Sequence, residues 1–168
     1  LLLQGDVLWV GTRYSGLFQI TVSTGAIRHV SEDQSSGMTL PSQDVQCVEQ
    51  GPGDSILICT EQGLVVYQPQ TATQQLWDGR SGLLTQNIVG AHTDADSNVW
   101  LLSAKGLTLK PAGEQRFINF TKLDGLVATE LVFKSIFDDQ NGQMYVGTIN
   151  GLAIVEPDFI WVNDIAPK

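Results

Sequence analysis

The stretch that decides the fold lies near the end of the chain and runs Met144-Tyr145-Val146-Gly147-Thr148, followed after two residues by Gly151-Leu152. Three earlier stretches align with its apolar part without gaps, and each also ends in a small hydroxyl residue that precedes a Gly-Leu pair. These stretches are Leu8-Trp9-Val10-Gly11-Thr12, Ile56-Leu57-Ile58-Cys59-Thr60 and Val99-Trp100-Leu101-Leu102-Ser103. Their closing hydroxyl residues lie 48, 43 and 45 residues apart, so the chain contains an internal repeat.

A second signature precedes the last three of these stretches. Apolar residues lie 12 and 9 positions before the second residue of each stretch. They are Val45 and Val48, Ile88 and Ala91, and Phe133 and Ile136. Offsets that recur in this way indicate one structural unit used several times.

Each repeat has the local chemistry of β-structure. Short runs rich in Val, Ile, Leu and aromatic residues alternate with turn clusters of Gly, Pro, Asp and Asn, and no stretch keeps a 3.6-residue period. In the second unit the pattern predicts strands at about 45–49, 56–60, 64–67 and 74–77. Four antiparallel strands in about 45 residues make a β-propeller blade, so we predict an all-β propeller fold with about four blades.

Blade packing explains the apolar positions of the repeat. A lone four-stranded sheet of this pattern has two apolar faces and cannot bury both, whereas stacked blades can. The bulky second residue of each stretch is therefore predicted to fill the space between neighbouring blades, and the second signature is predicted to start the innermost strands. The residues concerned are Trp9, Leu57, Trp100 and Tyr145 between blades, and Val45, Ile88 and Phe133 on innermost strands.

The repeat also divides the chain. Its units lie near 1–44, 45–87, 88–132 and 133–160, and 161–168 is interpreted as an exit segment. Leu1-Leu2-Leu3 aligns with Phe137-Asp138-Asp139, which places the start of the chain near the end of an innermost strand. We therefore expect the C-terminal portion of a larger ring, an open arc with apolar surface on both terminal blades. A four-bladed ring closed by the chain's own end is the alternative.

Composition excludes some partners. The chain has 18 acidic and 9 basic residues, a net charge of −9, so nucleic acid and anionic lipid surfaces are repelled.

Cys47 and Cys59 fall on adjacent strands of one hairpin, one residue out of direct register, and two buried thiols are expected. A disulfide is the alternative for an exported protein.

The sequence holds no constellation of catalytic or metal-binding residues. His29 and His92 occupy unrelated repeat positions and have no metal-ligand spacing. Asp94-x-Asp96-x-Asn98 opens like a calcium loop, but Val99 replaces the glycine at position 6 and Lys105 the glutamate at position 12. We predict a plain turn there, and no catalytic residue, metal or cofactor in this chain.

Candidate binding residues come from loop geometry. In a propeller, the loops between blades and the turns between second and third strands gather on one face, around the channel. Between blades these loops are Gln43-Asp44, Gln86-Asn87 and Thr129-Glu130, and within blades they are Arg13-Tyr14-Ser15, Glu61-Gln62, Ala104-Lys105 and Ile149-Asn150. These residues change from unit to unit while the flanking positions stay, as expected of a binding rim on a rigid scaffold. Unconstrained loop variation is the alternative. The candidates are Gln43, Asn87, Arg13, Tyr14, Glu61, Gln62, Lys105 and Asn150.

The unit resembles the two-component regulator propeller repeat. The resemblance rests on Leu40-Pro41-Ser42-Gln43-Asp44-Val45 and on the stretch from Asp139-Gln140-Asn141-Gly142 through Gly151-Leu152. Leu57 and Cys59 in unit two stand where Trp and Gly are usual, and Leu102-Ser103 stands for Gly-Thr in unit three.

That resemblance implies a ligand-sensing module of a bacterial receptor, located in the periplasm ahead of a histidine kinase or a diguanylate cyclase. It also implies a ring of seven blades, a following immunoglobulin-like module, and a small-molecule or saccharide ligand; a receptor dimer is a further expectation. The segment itself is not expected to be an enzyme. A protein–protein interaction scaffold and a propeller-type carbohydrate-active enzyme are the alternative functions.

Overall fold

The computed structural model describes residues 1–30, 37–126, 128, 130–139 and 143–156. Regular structure in this part is β-strand, apart from two short 3-10 turns at Pro52–Asp54 and Lys122–Asp124. No helix in the described part is long and apolar enough to cross a membrane. The predicted all-β class is confirmed.

The strands form four separate sheets, in which neighbours in sequence are antiparallel neighbours in space. We call these sheets blades 1 to 4. Blade 1 contains β1 (Leu2–Gln4), β2 (Val7–Gly11), β3 (Leu17–Thr21) and β4 (Ala26–His29). Blade 2 contains β5 (Val45–Gln50), β6 (Ile56–Thr60), β7 (Gly63–Gln68) and β8 (Thr73–Trp77). Blade 3 contains β9 (Ile88–Thr93), β10 (Val99–Ser103), β11 (Gly106–Lys110) and β12 (Ile118–Phe120), and blade 4 contains β13 (Leu131–Asp138), β14 (Met144–Thr148) and β15 (Gly151–Val155).

The first strands of successive blades contact one another, as innermost strands of a propeller do. β5 lies against β9, and β9 against β13, so the predicted positions of Val45, Ile88 and Phe133 on innermost strands are confirmed. β1 has three residues, and Leu2 pairs with Trp9 as Phe137 pairs with Tyr145. Leu2 is therefore the equivalent of Phe137, one residue later than the alignment predicts, because the connection from Leu2 to Trp9 is one residue shorter than that from Phe137 to Tyr145.

The hydroxyl residue and the Gly-Leu pair of the repeat build the turn between the second and third strands. Thr60 Oγ1 donates a hydrogen bond to the Gly63 carbonyl at 2.8 Å and accepts one from the Gln62 amide at 3.1 Å. Ser103 and Thr148 bond the carbonyls of Gly106 and Gly151 in the same way. The three glycines have φ between 130° and 139°, a conformation that an L-residue rarely adopts, which explains why glycine recurs here.

Apolar side chains fill the spaces between blades in three clusters. Trp9 of blade 1 packs in one cluster with Ile58 of blade 2, and Leu57 packs in the next with Leu101 of blade 3. Trp100 packs in the third with Val146 of blade 4 and is fully buried. These three residues therefore have the predicted position between blades.

Tyr145 differs from that prediction. It is only half-buried, and its cross-strand neighbours Phe137 and Ile154 are 64% and 56% exposed. The other face of blade 4 packs on blade 3, and no described residue packs over this one as blades 2, 3 and 4 do over their neighbours. The predicted exit segment at 161–168 lies outside the described residues.

The expectation of two free thiols is wrong, because Cys47 and Cys59 form a disulfide with their Cα atoms 4.8 Å apart. The 3-10 turn at Pro52–Asp54 places Gln50 opposite Ile56, and counting back along both strands brings the two cysteines directly opposite each other. The observed register differs from the predicted one by one residue. Both are buried in the cluster between blades 2 and 3.

Candidate functional site

The loops predicted to form a rim do come together at one end of the blades. The Gly16 amide of blade 1 donates to the Gln43 carbonyl at 3.0 Å, and the Val45 amide donates to the Thr12 carbonyl at 2.8 Å. Within blade 2, Ser42 Oγ donates to Glu61 Oε1 at 3.2 Å. Loops between blades and turns within blades thus share one face, which we call the rim.

A groove of about 370 Å³ opens at the rim, beside the innermost strands. Blades that are distant in sequence line it together: Arg13 from blade 1, Phe133 from blade 4, and Asp44, Val45 and Gln46 from the start of blade 2. The site therefore exists only when at least three blades hold their relative positions.

Polar contacts connect the side chains of the groove. Arg13 Nε lies 3.9 Å from Asp44 Oδ2, and the guanidinium lies 5.8 Å from the centre of the Tyr14 ring. Gln46 Nε2 donates to Asn87 Oδ1 at 2.8 Å, which links the groove to blade 3. Arg13 is 75% exposed, so its guanidinium remains accessible to a bound molecule.

The turn that carries Arg13 and Tyr14 is longer than its equivalents. Three residues separate Thr12 from Gly16, whereas two residues separate the equivalent hydroxyl residue from its glycine in blades 2, 3 and 4. Thr12 Oγ1 still bonds the Gly16 carbonyl at 2.9 Å, so the extra residue extends the loop outward without breaking the turn. Tyr14 is 81% exposed as a result.

The predicted candidates separate into two groups. Arg13 lines the groove, Tyr14 lies beside Arg13, Asn87 bonds a lining residue, and Gln43 precedes one. The remaining candidates are exposed on rim turns but do not line the groove: Glu61, Gln62, Lys105 and Asn150.

Three lining residues, Val45, Gln46 and Phe133, lie outside the predicted rim loops, whereas Asp44 lies in one of them but is not among the predicted candidates. Gln46 belongs to an innermost strand, and its contact with Asn87 crosses two blades. Phe133 was aligned with the buried residues Val45 and Ile88 but is 53% exposed. The pairing of β13 shifts between Leu131 and Ile136, which removes Phe133 from the regular alternation; no sequence signal announces that shift.

An ion pair joins blade 4 to blade 2 at the register shift of β13. Lys134, which has φ +53°, places its Nζ 2.9 Å from Glu49 Oε1 of blade 2. This contact spans from blade 4 to blade 2 past blade 3. It helps to hold the two sides of the groove at a set distance.

Asp94 and His29, which the sequence offers as possible metal ligands, make structural contacts. Asp94 Oδ1 accepts hydrogen bonds from the amides of Asp96 and Asn98, so this segment is a turn, as predicted. His29 stacks on Phe18 with ring centres 4.3 Å apart. Across the described residues, no three His, Cys, Asp or Glu side chains are grouped so that they could hold a metal ion.

Solved structures share this fold. The extracellular domain of BT3049 of B. thetaiotaomicron, assigned as a hybrid two-component system, superposes with a TM-score of 0.77 at 18% identity over 91% of this chain. The extracellular domain of BT4673 from the same organism gives 0.51 at 15% identity over 90% of this chain. The computationally designed protein Ika4 gives 0.64 at 10% identity over 92%.

At these identities the likeness shows the fold alone, and it confirms the predicted propeller architecture. The chain spans 21% of the BT3049 chain and 26% of the BT4673 chain, but 87% of Ika4. No protein-family model matches the sequence. No curated protein matches it significantly.

Proposed function

We propose that this chain is a ligand-sensing module of a bacterial transmembrane receptor and that it lies in the periplasm. The observation that carries the proposal is the groove at the rim, which Arg13, Asp44, Gln46 and Phe133 line from three blades. A molecule bound there contacts several blades at once, so binding favours one arrangement of the blades over others. A receptor can transmit the resulting change in blade arrangement as a signal.

Two observations support the proposed location. The structures that share the fold include extracellular domains of proteins assigned as two-component or one-component systems. The disulfide between Cys47 and Cys59 is of a kind that persists in oxidising compartments and is rare in the cytosol. Both fit a domain exposed outside the inner membrane.

The lining of the groove suggests a polar small molecule, and a saccharide fits best. Arg13 and Asp44 pair with each other, so the groove offers both a donor and an acceptor with little net charge. The Gln46 amide adds further hydrogen-bonding groups, and Phe133 offers a ring surface to an apolar face of the ligand. Neutral polyhydroxylated molecules need this combination of groups.

The test is calorimetric titration of the chain with a library of oligosaccharides. Arg13→Ala and Gln46→Ala should each weaken binding about tenfold, the loss expected from one hydrogen bond to the ligand. Lys105→Ala is the matched control, since Lys105 is exposed on the same rim but does not line the groove. A library without a binder would contradict the saccharide, and a ligand whose affinity both groove variants leave unchanged would contradict the site.

An interaction scaffold is the second candidate function. Tyr14 is 81% exposed beside Arg13, and these residue types are enriched among residues that dominate protein–protein binding. A partner protein that loses affinity for Tyr14→Ala, while saccharides fail to bind the unaltered chain, would favour this function over ligand sensing.

The remaining features of the proposed receptor follow from the resemblance of the repeat alone. They are the immunoglobulin-like module after the propeller, the kinase or cyclase output and the receptor dimer. We retain them as proposals, together with the proposal that this segment binds without catalysing a reaction.

A further inference from the structure

The chain itself fills the outer part of the space between blades 1 and 2, which we call the first cleft. Residues 37–40, from the connection between β4 and β5, lie there beside β8. Met38 is 6% exposed and packs in one cluster with Tyr67 of blade 2. Gln74 of β8 pairs with the main chain of Thr39: Gln74 Oε1 accepts from the Thr39 amide at 2.7 Å, and Gln74 Nε2 donates to the Thr39 carbonyl at 3.0 Å. One side-chain amide and one apolar contact therefore hold a peptide segment in this cleft.

The corresponding connection between blades 2 and 3 is shorter. Residues 30–44 join β4 to β5, whereas residues 78–87 join β8 to β9, which is five residues fewer. In the shorter connection the Gly82 carbonyl accepts a hydrogen bond from Asn119 Nδ2 of β12 at 3.1 Å. Asn119 has the position in blade 3 that Leu76 has in blade 2, two residues nearer the rim than Gln74. The outer space between blades 2 and 3, which we call the second cleft, therefore holds its connection nearer the rim.

The part of the second cleft away from the rim is a pocket of about 440 Å³, a volume typical of small-molecule sites. Its wall is the face of blade 2 that packs on blade 3, where Val66 and Trp77 belong to the apolar cluster between the two blades. The turn between β5 and β6, at the opposite end of blade 2 from the rim, also lines it. Both flanking blades belong to this chain, so the pocket is not a place for a further blade of a longer propeller.

The described residues that line this pocket carry no charge, and they offer unused hydrogen-bonding groups. Gln75 is exposed, and its side-chain amide has no hydrogen-bond partner among the described residues. Gln68 Nε2 donates to the Gly53 carbonyl at 2.9 Å, which leaves Gln68 Oε1 as an acceptor. A ligand that fits this pocket is therefore uncharged and carries both donors and acceptors.

We propose that the second cleft binds a short, uncharged oligopeptide from solution, and that Gln75 holds its main chain as Gln74 holds that of Thr39. Successive residues of a strand point to opposite faces of the sheet. Gln74 pairs across the sheet with Tyr67, and Gln75 pairs with Val66. The two pairs therefore present the same combination, an amide beside an apolar side chain, to the first and to the second cleft.

The chemistry of the pocket matches a peptide main chain. The primary amide of Gln75 donates and accepts at the same time, as the C=O and N–H groups of one peptide residue require. An apolar side chain of the ligand packs on Val66 beside Trp77, in the way that Met38 packs beside Tyr67. The site lies at the other end of blade 2 from the rim, so it is independent of what the groove binds.

The probe that tests the site is the capped tetrapeptide N-acetyl-Gly-Met-Thr-Leu-amide, which has the sequence of residues 37–40 and no terminal charges. It is titrated into the isotope-labelled chain and followed by nuclear magnetic resonance. The side-chain amide signals of Gln75 and Gln68 should shift and saturate with a dissociation constant of about 1 mM, as expected of so small a ligand. The signal of Gln46, in the rim groove, should stay in place. Gln75 signals that do not move overturn the proposal.

Substitution of Gln75 tests the contact with the peptide main chain. Because Gln75 is exposed, Gln75→Ala should fold, and it should bind the tetrapeptide about tenfold more weakly. Gln75→Glu should weaken binding as well, because a carboxylate cannot donate a hydrogen bond. Gln62→Ala is the matched control, since Gln62 is exposed on the rim turn of the same blade, and this variant should bind like the unaltered chain. Unchanged affinity in Gln75→Ala contradicts the site, as does an equal loss in Gln62→Ala.

Three further titrations test the nature and the source of the ligand. The tetrapeptide with Asp in place of Met should not bind, because its carboxylate would lie on the apolar surface of Val66. Cellobiose represents a neutral saccharide, and a shift of the Gln75 signal with cellobiose but not with the tetrapeptide overturns a peptide as the ligand. The tetrapeptide should also bind a longer receptor polypeptide that includes this chain. Binding to the isolated chain alone would show that the receptor's own sequence fills the second cleft, which also overturns the proposal.

Discussion

Trp100 donates a hydrogen bond from its indole Nε1 to Asp94 Oδ2, at 2.7 Å, across the turn between β9 and β10. The same oxygen accepts from the Asn98 side chain at 3.0 Å. The Asp94 carboxylate therefore stabilises the turn that contains it. It also accepts a hydrogen bond from the only polar group of Trp100, the largest side chain between blades 3 and 4. Trp9, at the same repeat position in blade 1, has a buried Nε1 that finds no partner among the described residues.

This difference predicts unequal effects of one substitution. Trp100→Phe removes a hydrogen bond to a charged acceptor, whereas Trp9→Phe removes a buried donor that has no partner. Both lose similar packing, so Trp100→Phe should lower the free energy of unfolding by about 2 kcal/mol more than Trp9→Phe does. Urea denaturation of the two variants measures this. Equal losses would show that the Asp94 contact contributes nothing to stability.

Truncation of Trp100 tests the packing itself. Trp100 is fully buried between blades 3 and 4, so Trp100→Ala should lower the free energy of unfolding by about 3–5 kcal/mol. The loss comes from removed apolar contacts and from the cavity left behind. A chemical denaturation midpoint within error of the unaltered chain would contradict the assigned position of this residue.

The glycine of the turn predicts a matched pair of effects. A Cβ on Gly106 would lie 2.1 Å from the Phe120 carbonyl oxygen of β12, whereas a Cβ on Gly151 meets no described atom within 4 Å. Both residues have φ near 138°, so Gly151→Ala should cost only the backbone strain of about 1–3 kcal/mol. Gly106→Ala should cost clearly more, because β12 must move. Thermal unfolding of both variants separates strain from collision.

The disulfide predicts a loss of stability on removal. It closes a loop between residues 12 apart in sequence, for which chain entropy gives a stabilisation of about 3 kcal/mol. The double substitution Cys47→Ala and Cys59→Ala should lower the free energy of unfolding by about that amount. A thiol assay on the denatured, unreduced chain provides the control: two reactive thiols would show that the bond is absent from the protein.

Tyr67 predicts a decline of stability in alkali. Burial raises the pKa of its phenol above the ordinary value, against a smaller opposing effect of the Arg28 charge. As the pH rises past about 10, the unfolded chain loses this proton before the folded chain does, which favours unfolding. Stability should be unaffected by this group below that pH and should fall above it. Tyr67→Phe should reduce the alkaline decline, whereas Tyr14→Phe, at an exposed position, should not.

The repeat was sufficient to predict the blades because its signals are local. A hydroxyl residue bonds the glycine carbonyl three residues ahead, and alternating apolar residues face two neighbouring blades. The strands of blade 2 accordingly begin and end within one residue of their predicted limits. The number of blades in the complete ring remains a prediction.

The sequence by itself therefore determined the all-β class, the strands of blade 2 and the burial of Trp9, Leu57 and Trp100, since spacing within one repeat specifies each of these. Only the tertiary structure decided the groove, because Arg13, Gln46 and Phe133 come from three blades and meet through a register shift in β13. It also decided the pairing of Cys47 with Cys59, which depends on the turn geometry at Pro52–Asp54. Contacts between blades depend on how the blades are placed in space. The repeat pattern describes what the blades share and does not show where one blade departs from it, as β13 does at its register shift.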